Sequence, residues 1–374
     1  MVVDDSGSTS TSIPPRPGIR YRRATPDFVR RTAQARKVLV LLFGGLGDVV
    51  HSFPALWSIR RAYPEAQLDV LTAGSYSALL GLLPWIDGRL AYASRKSGLT
   101  LNELRHIRSL RRTSYDVSIN LTGNNHGSVL AWAAGARARL GRRPFWDNKK
   151  GWRWLQTEVM DFRYEQEPMY RQWLQCLAQA GFASDSQFNI ELPEQALQGS
   201  GITAADRGTY LHLSPNTTDD TRQLPVEQMV ELLQELHRRL PQYRLVLTSM
   251  GSERERARIA DILGRLGFEP WKVFTGTLDV IQLSAVIRGA ALHLSGDTGP
   301  LHLAWMLDTP SVSWFRIKHD NQEYLPPPPL HRALLGQSDH PTALTGIETS
   351  ALCQAALDLL GPAAAATEAR LASV

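Results

Sequence analysis

The chain has 374 residues, enough for two domains each with its own core, and its 43% hydrophobic and 21% charged residues exclude a disordered or fibrous polymer. No stretch approaches the ~20 apolar residues of a membrane span, the N-terminus lacks the apolar core of a signal peptide, and Cys176 and Cys353 lie far apart outside any metal-ligand spacing. The expectation is a cytoplasmic protein without a disulfide framework or zinc site, meeting a membrane, if at all, only at its surface. The formal charge of +5 hides an asymmetry: residues 1–156 hold 24 Lys/Arg against 10 Asp/Glu, a net of +14, and the remainder 17 against 26, a net of −9. A basic first half fits an anionic or membrane-surface partner as well as an unevenly charged solvated surface.

Residues 1–35 are rich in Ser, Thr, Pro and Arg without sustained periodicity and read as a flexible lead-in, helical at most near 27–35. Residues 37–43 form a continuous apolar run of strand length, as expected of a central parallel strand buried on both faces. A glycine turn, Gly44-Gly45-Leu46-Gly47-Asp48, then opens a helix that runs on through Tyr63. Its spacing is not that of a dinucleotide fingerprint, so the informative residue is Asp48, a carboxylate on the side of an open α/β sheet where ligands bind. Strands at 67–72 and 115–121, with a helix around 101–112 between them, continue a βαβ alternation that predicts a doubly wound α/β sheet.

A small-residue helix at 128–136 leads into Arg137, Arg139, Arg142, Arg143, Lys149, Lys150 and Arg153, interleaved with Phe145, Trp146, Trp152 and Trp154. This densest basic patch suits nucleic acid, a lipid or sugar phosphate, or a plain exposed loop. An amphipathic helix at 170–181 and a linker at 192–206 close the first half.

The alternation restarts with a strand at 210–213, the polar loop 214–225, a helix at 226–239, a strand at 243–248 and a helix at 254–266. Arg254, Arg256 and Arg258 on that helix read as a solvated, locally paired face. Residues 290–294 form a short buried strand, followed by the turn Ser295-Gly296-Asp297-Thr298-Gly299 and a helix from Pro300 to about Leu307. Such a strand-turn-helix junction aims unpaired N–H groups and the positive end of a helix at one point, which favours phosphate, although Asp297 or Thr298 serving as an ordinary cap explains the same residues. A strand at 311–315, a stiff proline run at 325–330 and a terminal helix at 347–360 with a frayed tail complete the chain.

Taken together, Gly47-Asp48-Val49-Val50-His51-Ser52-Phe53-Pro54-Ala55-Leu56, the loop Thr217-Thr218-Asp219-Asp220-Thr221-Arg222 with Leu224-Pro225, Gly251-Ser252-Glu253 and Gly296-Asp297-Thr298-Gly299-Pro300-Leu301-His302-Leu303-Ala304 resemble the bacterial ADP-heptose:lipopolysaccharide heptosyltransferases. In order and spacing the resemblance covers roughly residues 37–315. It implies a GT-B fold: an acceptor-binding Rossmann-like domain at 36–195 facing, across a cleft, a nucleotide-sugar-binding one at 206–345, with residues 346–374 as a C-terminal helix and tail. It implies an inverting glycosyl transfer from ADP-heptose to an acceptor such as the lipopolysaccharide inner core. Asp48 is then the general base, Thr217, Thr218 and Arg222 hold the donor diphosphate, Glu253 meets the nucleoside, and Asp297, Thr298 and Gly299 meet the sugar-nucleotide.

Gly47, Arg142 and Arg143 are assigned to the acceptor, no metal or other cofactor is expected, and the expected state is a monomer that binds no nucleic acid. The chemistry suits these residue types: preorganised N–H groups and a cation stabilise the departing diphosphate, and a placed carboxylate takes the acceptor's proton. Arg222 stands where the family usually offers Lys, which turns a point charge into a fork. His51 and His302 sit beside apolar residues and are read as structural. Two other readings remain: a non-catalytic nucleotide- or polyanion-binding protein on the same fold, and a family member acting on a small-molecule or protein acceptor. A cysteine-rich, metal-holding subgroup acts on proteins, and two distant cysteines argue against it.

Overall fold

The computed structural model describes residues 22–92, 101–143, 155–161, 167–185, 187–316, 323–337 and 343–371. Apolar runs become two six-stranded sheets. The first contains β1 (Lys37–Leu42), β2 (Gln67–Ala73), β3 (Gly88–Tyr92), β4 (Val117–Asn120), β5 (Ala138–Arg142) and β6 (Glu158–Met160), in the order β3-β2-β1-β4-β5-β6. The second contains β7 (Tyr210–Ser214), β8 (Arg244–Ser249), β9 (Lys272–Thr275), β10 (Leu292–Gly296), β11 (Ser311–Arg316) and β12 (His331–Gly336), in the order β12-β11-β10-β7-β8-β9. Every pairing is parallel, so each half is a doubly wound α/β unit, and together they form the expected GT-B architecture.

In each sheet the strand order reverses once, between β1 and β4 and between β7 and β10. Loops diverge there and leave a crevice beyond the carboxyl ends of the strands. Asp48 follows β1, Thr217 follows β7 and Asp297 follows β10, so the sequence motifs sit at the two crevices.

The helices are α1 (Asp27–Arg31), α2 (Leu46–His51), α3 (Phe53–Ala62), α4 (Leu101–Thr113), α5 (Asn125–Ala133), α6 (Met169–Ala178), α7 (Val226–Arg239), α8 (Glu253–Leu266), α9 (Val280–Gly289), α10 (Gly299–Met306) and α11 (Thr349–Leu371). Local chemistry sets several of their starts: Asn124 accepts the Gly127 N–H at 2.7 Å, Ser252 and Glu255 form a capping box, and Asp279 accepts from the N–H groups of Ile281 and Gln282. On β1, Val38, Val40 and Leu42 meet Val49, Phe53, Leu56 and Ile59, while Leu39 and Leu41 face Leu110 and Leu130. The first of these clusters also takes in Ile287, Leu303 and Leu307, so one core joins the two halves.

Several expectations are corrected. Residues 22–35 are not a loose lead-in: the Ala24 N–H donates to the Val159 carbonyl at 2.8 Å and Phe28 is fully buried. The helix expected from Gly44 onward breaks at Ser52, because α3 restarts with Pro54 near its first position, where no N–H is needed. Of the readings left open for the basic patch, a plain exposed loop does not hold at its start, which is β5, with Arg139 near its beginning and Arg142 at its end. The 192–206 linker is packed, with Ala196 and Ile202 buried, and α11 continues well past residue 360, using Leu352, Cys353, Ala356 and Leu360 to cover the second sheet. Arg254 and Arg258 are not merely solvated: they donate to the Thr217 and Leu224 carbonyls and brace the loop after β7.

Candidate active site

The two junctions meet. α2 and α10 pack side by side across the boundary between the sheets, and two glycines permit it. A Cβ on Gly47 would lie 2.5 Å from the His302 ring, and one on Gly299 would lie 2.4 Å from Leu46. The space at Gly47 therefore belongs to His302, not to an open acceptor surface. His302 Nδ1 lies 3.1 Å from His51 Nε2, and Trp305 stacks on the His51 ring at 4.6 Å. Burial lowers the pKa of His302 to about 4, against a weaker opposing pull from Asp48, and burial followed by the His302 charge lowers that of His51. Both rings are neutral at pH 7 and serve as packing and hydrogen-bonding groups.

Asp48 is the third residue of α2. Its Oδ2 accepts the Gly45 N–H at 2.8 Å and its Oδ1 accepts the Tyr324 hydroxyl at 2.9 Å. The first bond is an N-terminal cap; the second comes from the far side of the boundary. The carboxylate is thus held in one orientation by a donor from each half.

Opposite it is a cluster of cations. Arg222 donates to Asp297 Oδ2 at 2.9 Å, and Arg316 donates to Thr221 Oγ1 at 2.8 Å. The Nε atoms of both arginines are buried and make no hydrogen bond, although that of Arg222 lies 3.6 Å from the Asp219 carboxylate, so the least committed N–H here is that of Arg316. Burial raises the pKa of Asp297, with the charges of Arg222 and Arg316 opposing. His302 Nε2 lies 3.7 Å from Asp297, beyond hydrogen-bond range, and is uncharged, so this contact is not an ion pair at neutral pH. Thr298 precedes α10 without a side-chain cap; Pro300 has no N–H and the Leu301 N–H donates to the Thr298 carbonyl at 3.0 Å, so the Gly299 N–H is the one the start of the helix can offer a ligand.

Beside this cluster is a pocket of about 70 Å³ lined by both polar and apolar side chains. Asn216, Thr217, Thr218, Thr248, Ser249 and Glu255 contribute polar atoms, and Met250, Phe274, Leu278 and Leu283 contribute apolar walls. The Asn216 side chain is buried with neither amide atom hydrogen bonded. Glu253 is exposed and does not line this cavity; Glu255, two residues on, does.

Arg142 and Arg143 reach the end of the first sheet. Arg142 donates to the Thr122 carbonyl at 2.8 Å and lies 4.7 Å over the Trp173 ring; Arg143 approaches Asp161 at 3.7 Å. Thr122 also receives the Phe43 N–H, so Arg142 is tied to the turn that carries Asp48. Arg139 is spent on the Ala136 and Leu155 carbonyls at the other end of β5 and does not join the site. Phe145, Trp146, Lys149, Lys150, Trp152, Arg153 and Trp154 lie outside the described residues, as does Arg20 of the lead-in.

The structure adds residues that the motifs missed. Arg316 was signalled only by its place at the end of a strand; Asn216 lay unremarked in a polar loop; Tyr324 had no signal, standing before a proline run far from Asp48 in sequence. Among the described residues no group of three His, Cys, Asp or Glu side chains is arranged to hold a metal ion.

Two doubly wound sheets whose reversal points face one another, with a carboxylate from one and arginines and an uncapped helix N-terminus from the other, define a GT-B protein. The profile of glycosyltransferase family 9 (heptosyltransferase) matches residues 103–338, and the chain belongs to this family. It is 28% identical over 304 residues to lipopolysaccharide heptosyltransferase 1 of Pseudomonas aeruginosa, covering 75% of this chain and 78% of the relative. A putative glycosyltransferase of Haemophilus influenzae is 23% identical over 301 residues, covering 76% and 84%. Among solved structures, a family 9 glycosyl transferase of Veillonella parvula matches with a TM-score of 0.73 at 18% identity, covering 87% of this chain and 97% of that one. Escherichia coli heptosyltransferase WaaC with ADP matches at 0.69 and 18% identity, covering 85% and 98%, a likeness of fold.

Proposed function

We propose that this family 9 glycosyltransferase moves a heptose or related sugar from an ADP-sugar to a hydroxyl of an anionic acceptor such as the lipopolysaccharide inner core, with inversion and without a metal. The observation that supports this most is the Asp48 carboxylate, oriented by Gly45 and Tyr324, facing Arg222 and Arg316, whose Nε atoms make no hydrogen bond, and the uncapped start of α10. In this reading Asp48 removes the acceptor proton as the oxygen attacks the anomeric carbon. The bond to the diphosphate breaks on the opposite face, and the departing charge goes to Arg222, Arg316 and the N–H group of Gly299.

Thr217 and Thr218 flank the diphosphate, Asp297 receives sugar hydroxyls while orienting Arg222, and the adjoining cavity takes the nucleoside, with Glu253 and Glu255 offered to its hydroxyls. Arg142 and Arg143 draw the anionic acceptor towards Asp48. The enzyme acts as a monomer in the cytoplasm, reaching a membrane-borne acceptor from the surface. The test is calorimetric titration with ADP, UDP and GDP in chelator at low salt. Selective ADP binding is expected; binding of none of the three contradicts the reading and favours a polyanion-binding protein on this fold.

A further inference from the structure

The outer face of the first half carries a surface the transfer reaction does not use. α4 and α5 lie side by side over Leu39, Leu41 and Leu71, burying Leu110, Leu130 and Ala131. Their other sides leave Trp132 52%, Leu104 49% and Val129 45% exposed. Val129 and Trp132 are three residues apart on α5 and share a face, as do Leu104, Arg108 and Arg111 on α4. The two stripes adjoin: Arg111 Cγ lies 3.8 Å from the position a Cβ on Gly135, just after α5, would take.

Arg105, Arg108, Arg111 and Arg112 are all exposed, while α5 has no acidic residue and α4 has a single one in its sequence. Arg111 and Arg112 complement the negative end of α4, but that effect fades within a turn and does not explain Arg108. A merely solvated face does not call for an exposed tryptophan. A two-fold contact with a second copy would bring like charges together.

We infer that the α4–α5 face docks on an anionic lipid bilayer, with Trp132, Val129 and Leu104 in the interfacial layer and the arginines on lipid phosphates. An indole at the headgroup level beside a cluster of basic side chains is the combination such a surface rewards. The face also leads to the crevice: the His126 ring at the start of α5 is 5.7 Å from Phe43 and 5.1 Å from Tyr92, and Phe43 opens the turn to Asp48. A lipid-borne acceptor in the same bilayer enters beside the carboxylate. The docking rests on this surface alone and stands whichever sugar is moved.

The full chain is floated with vesicles of equal phosphatidylglycerol and phosphatidylcholine, and with phosphatidylcholine alone, at 0.1 and 0.5 M salt. Binding is expected on the anionic vesicles only, weakening at high salt. At about a factor of five for each basic residue near an anionic surface, the double variant Arg108→Glu, Arg111→Glu loses tenfold or more in partitioning. Trp132→Ser also weakens it, with circular dichroism and melting temperature unchanged in both variants. Wild-type protein that ignores anionic vesicles, or variants that bind them as wild type does, overturns the inference. So does a dimer that Trp132→Ser dissociates without change in vesicle binding, which makes this face a contact between copies.

Discussion

Gly47→Ala tests the meeting of the two halves. The new methyl would stand 2.5 Å from His302 Cδ2 and 2.9 Å from Nε2. His302 cannot swing away like the tip of a lysine: it is buried, hydrogen bonded to His51 at 3.1 Å, with the Tyr324 ring 5.5 Å away. Forcing a methyl into a packed site costs about 1–3 kcal/mol. Alanine recovers up to about 0.5–1 kcal/mol over glycine in a helix. The net expectation is a loss of about 1–2 kcal/mol, seen as a fall of a few degrees in melting temperature. Because Asp48 is the next residue, transfer should fall about tenfold or more, a displacement of ~1 Å being worth ~100-fold. In a His302→Ala background the obstacle is gone, and Gly47→Ala should become neutral or slightly stabilising, leaving a coupling of about 1–2 kcal/mol in the double-mutant cycle. The same destabilisation in both backgrounds would refute the packing argument.

Tyr324→Phe removes one of the two donors to Asp48 and should lower kcat severalfold in steady-state assays with little change in donor KM; an unchanged kcat contradicts a positioning role. Arg316→Ala should weaken ADP binding about tenfold by calorimetry, since a hydrogen bond to a charged group contributes about 1.5–3 kcal/mol, and wild-type affinity would remove Arg316 from the donor site. Acid should destabilise the fold through its buried histidines. Buried His212, its pKa lowered by burial to about 3, and His331, lowered to about 4, are neutral when folded but titrate at 6.5 in the open chain. Their contribution is complete above pH 6.5 and is lost as the pH falls towards 3. Melting followed from pH 8 to pH 4 should show the decline, and a flat profile through that window contradicts it.

The acid-sensitive histidines lie on a buried polar face that sequence pattern conceals. His212 and His293 stand opposite one another in register on β7 and β10, with Nδ1 atoms 2.7 Å apart, and Thr248, Ser214 and Ser295 complete their bonds. Alternating polar residues usually mark a solvated strand face; here each is satisfied by another buried polar side chain, from a neighbouring strand or, for Ser295, from its own. Conversely, β1, β7 and β10 were legible because a strand buried on both faces needs an unbroken run of nonpolar or readily satisfied side chains.

β3 and β6 were not legible: β3 reads Gly-Arg-Leu-Ala-Tyr with exposed alternate residues, and β6 has three residues. The charge of Arg137 to Arg143 hides a strand from the sequence pattern: Leu140 and Gly141 carry it and the arginines sit at its ends. For the site, the glycine turns draw attention to Asp48 and Asp297, while Arg222, in a loop without glycine, is marked only by the family resemblance. Tyr324 and Arg316 reach the same place through tertiary packing, and no local rule encodes that.

In the proposed reaction Asp48 takes the acceptor proton at a site shared by the two sheets. The direct test of this role is Asp48→Asn, an isosteric change that keeps an oxygen for the Gly45 N–H. Transfer from ADP-heptose to an inner-core acceptor and ADP affinity are measured on the same preparation. Transfer is expected to fall by about 10²–10⁴-fold with ADP affinity and melting temperature nearly unchanged; equal losses of binding and transfer, or transfer retained, would contradict the role of Asp48 as base.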